Sequence, residues 1–254
     1  MLKLATKFKP DTQSFENATA AGFQNAEFWL GEEILADPRS TIELATGFDL
    51  GIGLHFPNQG QLEDIHLHGF CRLYQSLNCP SAVIHAPMSR RYSDRLQAID
   101  SEMRIGVENH RLDSAGFWQW AETNRWLTLD VEHLWMFTLP GQSLDEVMQH
   151  LDEFLSKHVG QLVHVHLPGY LPGQDEHCPM YYSPDFVTRS LTLLAQHGYG
   201  GLVVSEVNAE HQVLAELRKD VALFKRWQRD RLQFGMPTIS LNTPVSPAMN
   251  QQFS

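Results

Sequence analysis

Short β-strand patterns alternate with segments that can form helices along nearly the whole of this chain. Each pattern is rich in Val, Ile, Leu or aromatic residues and is bounded by Gly, Pro or polar residues typical of turns. Parallel strands need long crossover connections, usually helices, so this alternation constrains the fold strongly. The eight runs span residues 2–8, 26–30, 51–56, 81–87, 104–109, 126–132, 162–167 and 201–207.

Three of the intervening segments carry clear helix signals. Residues 143–158 place an apolar stripe on one face, and Ser143 stands where an N-cap is expected. Residues 184–198 begin with Pro and end with Gly, which are typical helix start and stop signals. A third helix is predicted over residues 209–234, after the last strand.

Eight strands alternating with helices predict a single domain with the (β/α)8 TIM barrel fold over residues 1–235. An open doubly wound sheet is the alternative. Such a sheet usually shows a glycine-rich phosphate-binding turn after its first strand, and none is seen in this sequence. Residues 236–254 are polar and contain three prolines, so they are predicted to form a C-terminal extension outside the barrel.

Charge and composition limit the partners of this 254-residue chain. Its 19 Lys and Arg oppose 30 Asp and Glu, giving a net charge of −11 that repels nucleic acid. No apolar run reaches the roughly 18 residues of a membrane span, so we expect neither nucleic acid nor membrane as a partner. Three unpatterned cysteines indicate a reducing compartment and a cytoplasmic location. The sequence leaves a homo-oligomer open.

Residue types that bind metals stand at the carboxyl ends of six consecutive predicted strands. In a β/α barrel these ends meet at one opening, where the chemistry takes place. Imidazole and carboxylate ligands suit zinc, manganese or iron, and bunched carboxylates without a cation would repel one another. We therefore predict about one to three divalent metal ions per chain. The strand-end residues are His55, His85, Glu108, Asp130, His166 and Glu206.

Three further side chains are candidate ligands. Asp130 and His133 are three residues apart and cannot share one face of a strand, so the chain must turn just after Asp130 to bring both to one ion. Asp175 and His177 lie in the loop G-Q-D-E-H after the seventh strand. His164 points into the barrel one layer below the ligands, and we interpret it as a core histidine.

The series of motifs resembles the xylose isomerase-like barrel superfamily, which includes sugar isomerases and epimerases and the endonuclease IV branch (AP endonuclease family 2). The resemblance spans about residues 1–233 and depends on V-E-N, L-D-x-x-H, H-L, D-x-H and the late S-E-V. It implies a common four-ligand core formed by Glu108, Asp130, His166 and Glu206. The endonuclease IV-like set of three metals would add His55, His85, His133, Asp175 and His177.

The sequence departs from this family pattern in two places. After the seventh strand, His166 is followed by Leu-Pro-Gly, so the Lys–Asp pair that often serves proton transfer in the family is absent. Glu108 lies only 23 positions after His85, which leaves short connecting loops. Such loops carry much of the DNA contact in the nuclease branch, so the departure weighs against DNA cleavage.

Four side chains near the strand ends are predicted to bind substrate. Guanidinium groups can clamp a phosphate or carboxylate, and an indole can stack on a sugar. Solvated loop cations and ordinary packing are the alternative interpretations. The four residues are Arg90, Arg91, Arg111 and Trp135.

Two enzymatic functions fit these observations. The first is a divalent-metal-dependent isomerase or epimerase of a small sugar or sugar-like substrate, in which Glu108 and Glu206 are the catalytic acid and base. The second is a multinuclear phosphoester hydrolase of endonuclease IV type. A protein that binds metal but has lost turnover is a third alternative. Acidity and short loops favour a small-molecule substrate, whereas the full ligand set favours a multinuclear centre.

Overall fold

Eight parallel strands close into a barrel in chain order, each paired with the next and β8 paired with β1. The computed structural model describes residues 1–173 and 177–234. The predicted (β/α)8 barrel is confirmed, and each strand lies within or one residue beyond a predicted run. The strands are β1 Lys3–Phe8, β2 Asn25–Trp29, β3 Gly51–His55, β4 Ala82–His85, β5 Ile105–Glu108, β6 Leu127–Asp130, β7 Leu162–His166 and β8 Leu202–Ser205.

Helices connect the strands on the outside of the barrel. They are α1 Thr12–Ala21, α2 Glu32–Ala36, α3 Arg39–Thr46, α4 Asp64–Ser76, α5 Ala86–Ile99, α6 Ser114–Thr123, α7 Val131–His133, α8 Leu144–His158, α9 Pro184–Gln196 and α10 Leu214–Phe234. Three 3₁₀ turns at Val159–Gln161, Met180–Tyr182 and Ala209–His211, and a π-helical turn at Leu134–Thr138, complete the described elements. Among the described residues, no helix has both the length and the apolar character needed to cross a membrane.

The predicted helices occur with one correction. Ser143 caps α8 by accepting a hydrogen bond from the Glu146 amide, and Pro184 opens α9. The helix predicted over residues 209–234 is interrupted: a 3₁₀ turn ends at His211, and α10 begins only at Leu214. The Gln212 side chain donates hydrogen bonds to the carbonyls of Lys7 and Val207, which anchors this break to β1 and the end of β8. The predicted extension at 236–254 lies outside the described residues.

Apolar side chains fill the space between the sheet and the helices. At one side of the barrel, Phe8, Phe15 and Phe28 join β1, α1 and β2, with ring centroids 5.3 to 5.6 Å apart. Inside the barrel, small residues keep the interior narrow below the opening. A Cβ atom at Gly53 would lie 3.0 Å from the His164 ring, so this glycine makes room for that imidazole.

Gly106 permits a similarly close approach between β5 and β6. A Cβ atom there would lie 2.9 Å from the Leu127 carbonyl carbon and the Thr128 amide nitrogen. The Thr128 hydroxyl also donates a 3.2 Å hydrogen bond to the Gly106 carbonyl. Because these contacts are with backbone atoms, a side chain at position 106 could fit only if β6 moved away from β5.

We expect Gly106→Ala to lower the free energy of unfolding by about 1–3 kcal/mol, because overpacking would push β6 away from β5. Denaturant unfolding of the purified variant measures this. Gly160→Ala is the control, since a Cβ at Gly160 meets no atom within 4 Å. Equal stability of the Gly106 variant and the wild type would contradict the close packing described above.

Candidate metal centre

The six side chains predicted at the strand ends converge on the barrel opening. His55, His85, Glu108, Asp130 and His166 are the last residues of β3 to β7, and Glu206 directly follows β8. Four of them, His55, Glu108, Asp130 and His166, are at most 2% exposed. Strand geometry therefore explains their convergence, because each strand contributes the side chain at the point where it ends.

The Glu108 carboxylate lies at the centre of the group. Its Oε2 atom is 3.4 Å from His55 Nε2 and 3.1 Å from His85 Nε2. Its Oε1 atom is 3.2 Å from His133 Nδ1. Burial alone would raise the pKa of Glu108, but hydrogen bonds from these imidazoles hold it well below its usual value. Glu108 is therefore a carboxylate that the nitrogen atoms of three imidazoles share.

The turn predicted after Asp130 is present and has a clear local cause. Asp130 ends β6 and caps α7, its Oδ1 accepting a 2.7 Å hydrogen bond from the His133 amide. Its Oδ2 atom is left 3.5 Å from His133 Nδ1. Asn109 fixes this position from the neighbouring strand, accepting from the Asp130 amide at 2.6 Å and donating to its carbonyl at 2.9 Å. The Asn of the V-E-N motif thus positions the Asp of the L-D-x-x-H motif.

Two groups of ligand atoms could each hold a metal ion, and they share Glu108. One consists of His55, His85 and Glu108, and the other of Glu108, Asp130 and His166, with all ligand atoms of a group within 4.8 Å of one another. A carboxylate common to two such groups can bridge two ions. A third group of this kind lies deeper and consists of Glu27, His55 and His166.

Two buried atoms of the centre lack the hydrogen bonds that buried polar atoms normally make, and a bound cation would supply the missing contact. Asp130 Oδ2 and His133 Nε2 make no hydrogen bond with any described residue. Burial raises the pKa of Asp130, and the nearby Glu108 carboxylate adds to this shift, although His133 opposes it. Nitrogen and carboxylate oxygen atoms left in this way are the donors that zinc, manganese and iron accept. The residues present therefore suit a divalent metal ion.

His177 comes to the edge of the same centre, whereas Asp175 lies outside the described residues. The His177 amide donates to both carboxylate oxygens of Glu132 at 3.1 Å, and its ring is 6.1 Å from that of His133. Burial opposes the charged imidazole, but the Glu132 carboxylate outweighs it and raises the pKa of His177 to about 9. The role of Asp175 and His177 as ligands stays a prediction.

The four side chains predicted to bind substrate lie outside the lining of the central cavity. Arg90 and Arg91 lie on α5, which begins directly after β4, and the exposed Arg91 stacks on Tyr92. The exposed Arg111 guanidinium lies 5.6 Å from the centre of the Phe137 ring. Trp135 is buried in the π-helical turn, where its indole donates to the Gln142 carbonyl and packs on other aromatic rings. The described contacts thus give Trp135 a packing role, and the contact of all four residues with substrate stays a prediction.

Sequence reasoning missed four residues of the centre. Glu27 on β2 is fully buried beneath the opening, and Lys7 on β1 lies 3.3 Å from it. Glu132 holds His177, as described above. His110 stacks on His85 with ring centroids 4.8 Å apart. Burial, helped by His85 and His133, lowers the pKa of His110 to about 4.

A cavity of about 340 Å³ opens above the centre. Small-molecule sites usually measure about 300 to 1,000 Å³, so this volume suits a small substrate. Glu108 and Glu206 both contribute to its walls, together with several of the imidazoles. The full lining consists of Asn58, His85, Pro87, Glu108, His110, His133, His177 and Glu206.

Solved structures of similar fold include both branches of the predicted superfamily. A D-tagatose 3-epimerase-like protein aligns with a TM-score of 0.65 at 16% identity over 89% of this chain and 97% of that one. Endonuclease IV from Thermus thermophilus aligns with a TM-score of 0.60 at 14% identity over 90% and 99%. D-allulose 3-epimerase from Methylomonas sp. aligns with a TM-score of 0.54 at 15% identity over 88% of this chain and 90% of that one.

No protein-family model and no curated protein sequence matches the chain. The structural matches are nevertheless extensive, and they include an epimerase and endonuclease IV from the two branches to which the motifs point. The resemblance to the xylose isomerase-like barrels is confirmed for the fold, which this chain shares.

We expect zinc binding to strengthen as the pH rises from 6 to 9 and to release protons. Burial disfavours charge on His133, but Asp130 and Glu108 outweigh it and raise the pKa of His133 to about 9 in the metal-free protein. Only the neutral imidazole can bind the metal. Each proton that zinc displaces therefore makes the zinc affinity rise by about a further tenfold per pH unit. Calorimetry in buffers of different ionisation enthalpy counts these protons.

His133→Gln should release fewer protons than the wild type, because it removes the imidazole that must be deprotonated. His68→Gln removes an exposed histidine of α4 and should leave the proton count unchanged. A zinc affinity that does not vary between pH 6 and pH 9 would contradict the coupling between the imidazoles and the carboxylates.

Proposed function

We propose that this protein is a divalent-metal-dependent isomerase or epimerase of a small sugar or sugar-like substrate. The observation that carries the proposal is that Glu108 and Glu206, from separate strands, line one cavity of about 340 Å³. Two carboxylates that reach the same bound molecule can remove a proton at one position and return it at another. A divalent ion held by the ligand set would polarise a carbonyl and a neighbouring hydroxyl of the substrate.

Glu206 is the better candidate for the base. Burial would raise its pKa, but Lys7 and His166 lower it well below the usual value, so the group is ionised at neutral pH, as is Glu108. Glu206 is the more accessible of the two, with 16% of its side chain exposed against 2% for Glu108, so it can better reach a proton on a carbon next to a carbonyl group. Its partner Glu108 lines the same cavity, and this position supports Glu108 as the group that returns a proton.

The charge of the chain and the size of the cavity support a small neutral substrate. The net charge of −11 disfavours a nucleic acid, and the cavity accommodates only a molecule of modest size. The names of two of the similar structures, a D-tagatose 3-epimerase-like protein and D-allulose 3-epimerase, point to the same substrate class.

A multinuclear phosphoester hydrolase is the second candidate, and one observation favours it. The two groups that could hold an ion share Glu108, which is the arrangement expected of a carboxylate that bridges two metals. In this case His133 would be a further ligand of the two-metal centre. The similarity of the fold to endonuclease IV is compatible with this alternative.

Metal stoichiometry distinguishes the two candidates. We expect elemental analysis of the purified protein to find one tightly held divalent ion per chain, since isomerisation needs only one. A panel of ketoses and aldoses should then reveal turnover. Two or three ions per chain, with turnover of phosphoesters in place of sugars, would overturn the isomerase proposal in favour of the hydrolase.

Glu206→Gln should reduce kcat by about a hundredfold or more without unfolding the barrel, because the amide cannot accept the proton. Glu210→Gln is the matched control, since Glu210 is exposed on the 3₁₀ turn four residues later. Steady-state kinetics and thermal unfolding measure the two effects. Wild-type turnover in the Glu206 variant would show that Glu206 is not the base.

A further inference from the structure

A group of charged residues lies directly beneath the candidate metal centre. Glu27 on β2 is 0% exposed, and its Oε2 atom is 2.6 Å from His164 Nε2 and 3.0 Å from His166 Nε2. Its Oε1 atom is 3.3 Å from the Lys7 ammonium. Lys7 and Glu27 face each other in the register of β1 and β2. The barrel thus holds a second polar layer below the strand-end ligands.

His166 connects the two layers because it uses both of its nitrogen atoms. Nε2 is hydrogen-bonded to Glu27. Nδ1 faces upward, 2.8 Å from Glu206 Oε2, 3.6 Å from Glu108 Oε2 and 3.8 Å from Asp130 Oδ2. The nitrogen that faces the candidate ligands is therefore Nδ1, and the proton of the neutral ring belongs on Nε2, where Glu27 accepts it.

The buried carboxylate of Glu27 is itself well compensated. Lys7 extends from β1 to both Glu27 and Glu206, and its ammonium donates a 2.5 Å hydrogen bond to Glu206 Oε1. His164 adds a further contact from below, and its other nitrogen is hydrogen-bonded to the Ser81 hydroxyl at 2.9 Å. A buried carboxylate with this many fixed partners has little freedom to move.

We propose that Glu27 is a positioning residue of the metal centre: it holds the Nε2 proton of His166 and so presents Nδ1 to the ion. The inference rests on the metal dependence in the proposed function and concerns the orientation and basicity of one ligand. Carboxylates that accept the second N–H of a metal-bound histidine fix its tautomer and strengthen it as a ligand. Their loss usually costs tenfold to a hundredfold in affinity for the metal, on the order of what we expect here.

The test is a double-mutant cycle of cobalt affinity on the full-length protein. Glu27→Gln, which keeps the shape and removes the charge, should weaken Co²⁺ binding by about tenfold to a hundredfold in the wild-type background. In the His166→Ala background the same substitution should have almost no effect, because Glu27 acts through His166. Competition with a chelator measures the affinities, and the Co²⁺ absorption bands should shift in the Glu27 variant.

Glu33→Gln is the matched control. Glu33 also pairs with a lysine near the end of β1, with Lys9 Nζ 2.8 Å from its Oε1, but this pair is exposed at the surface. The substitution changes the net charge by the same amount as Glu27→Gln and should leave the Co²⁺ affinity and absorption bands unchanged. It therefore separates a local effect on His166 from the overall electrostatic attraction of the ion.

The outcomes are distinct. Equal losses of affinity in the wild-type and His166→Ala backgrounds, or no loss in either, would overturn the role of Glu27 and leave the proposed function standing. A wild-type protein that binds no Co²⁺ would overturn both. A Glu27 variant with a lower melting temperature but unchanged Co²⁺ affinity and bands would show that Glu27 is only structural.

A second measurement needs no substitution at Glu27 and covers the case in which that variant fails to fold. Histidine labelled with ¹⁵N in the ¹¹³Cd-loaded wild-type protein should show cadmium coupling at Nδ1 of His166 and a proton on Nε2. His166→Gln assigns the signal. Coupling at Nε2 would mean that the ring is reversed, and it would overturn the proposal.

Discussion

The structure depends on how a dry barrel interior accommodates several carboxylates at once. Glu27, Glu108 and Asp130 are all nearly inaccessible to solvent, and each would be costly to bury alone. Imidazoles and Lys7 compensate Glu27 and Glu108, whose pKa values lie well below the usual range although burial opposes this. Asp130 is different, since burial and the nearby Glu108 carboxylate raise its pKa although His133 and His166 oppose this shift. The protein thus leaves one carboxylate undercompensated at the place where a cation would bind.

The fold and the positions of the main candidate ligands could be predicted because they follow from strand geometry. Parallel strands of a closed barrel must end at one opening, so a His or Glu at the end of each strand is placed by the backbone alone. The Asp130 to His133 spacing was equally informative, because a residue three positions further on can reach the same ion only if the strand stops. The structure shows that it stops at Asp130, which caps the following helical turn.

Glu27 and Lys7 were missed because their sequence surroundings resemble those of ordinary surface charges. One signal was nevertheless present. Ala26 and Phe28, on either side of Glu27, are both fully buried against the helices, so the alternation of a strand places Glu27 inside the barrel. Glu27 lies in the middle of its strand, so a pattern of strand-end residues does not include it. The break between His211 and Leu214, by contrast, depends on hydrogen bonds from Gln212, one of them to a residue far away in sequence, which no local pattern reveals.

The two polar layers differ in how their charges are compensated and in whether they face the cavity. The lower layer of Lys7, Glu27 and His164 is compensated by fixed protein charges, and none of the three lines the cavity. The upper layer faces the cavity, which is lined by Glu108, Glu206 and several of the imidazoles. A cation entering the upper layer would displace protons from imidazoles while the lower layer stays in place. Because each cation that binds displaces protons from imidazoles such as His133, the charge of the opening changes by less than the charge of the ion, and a neutral polyol can approach before or after it binds.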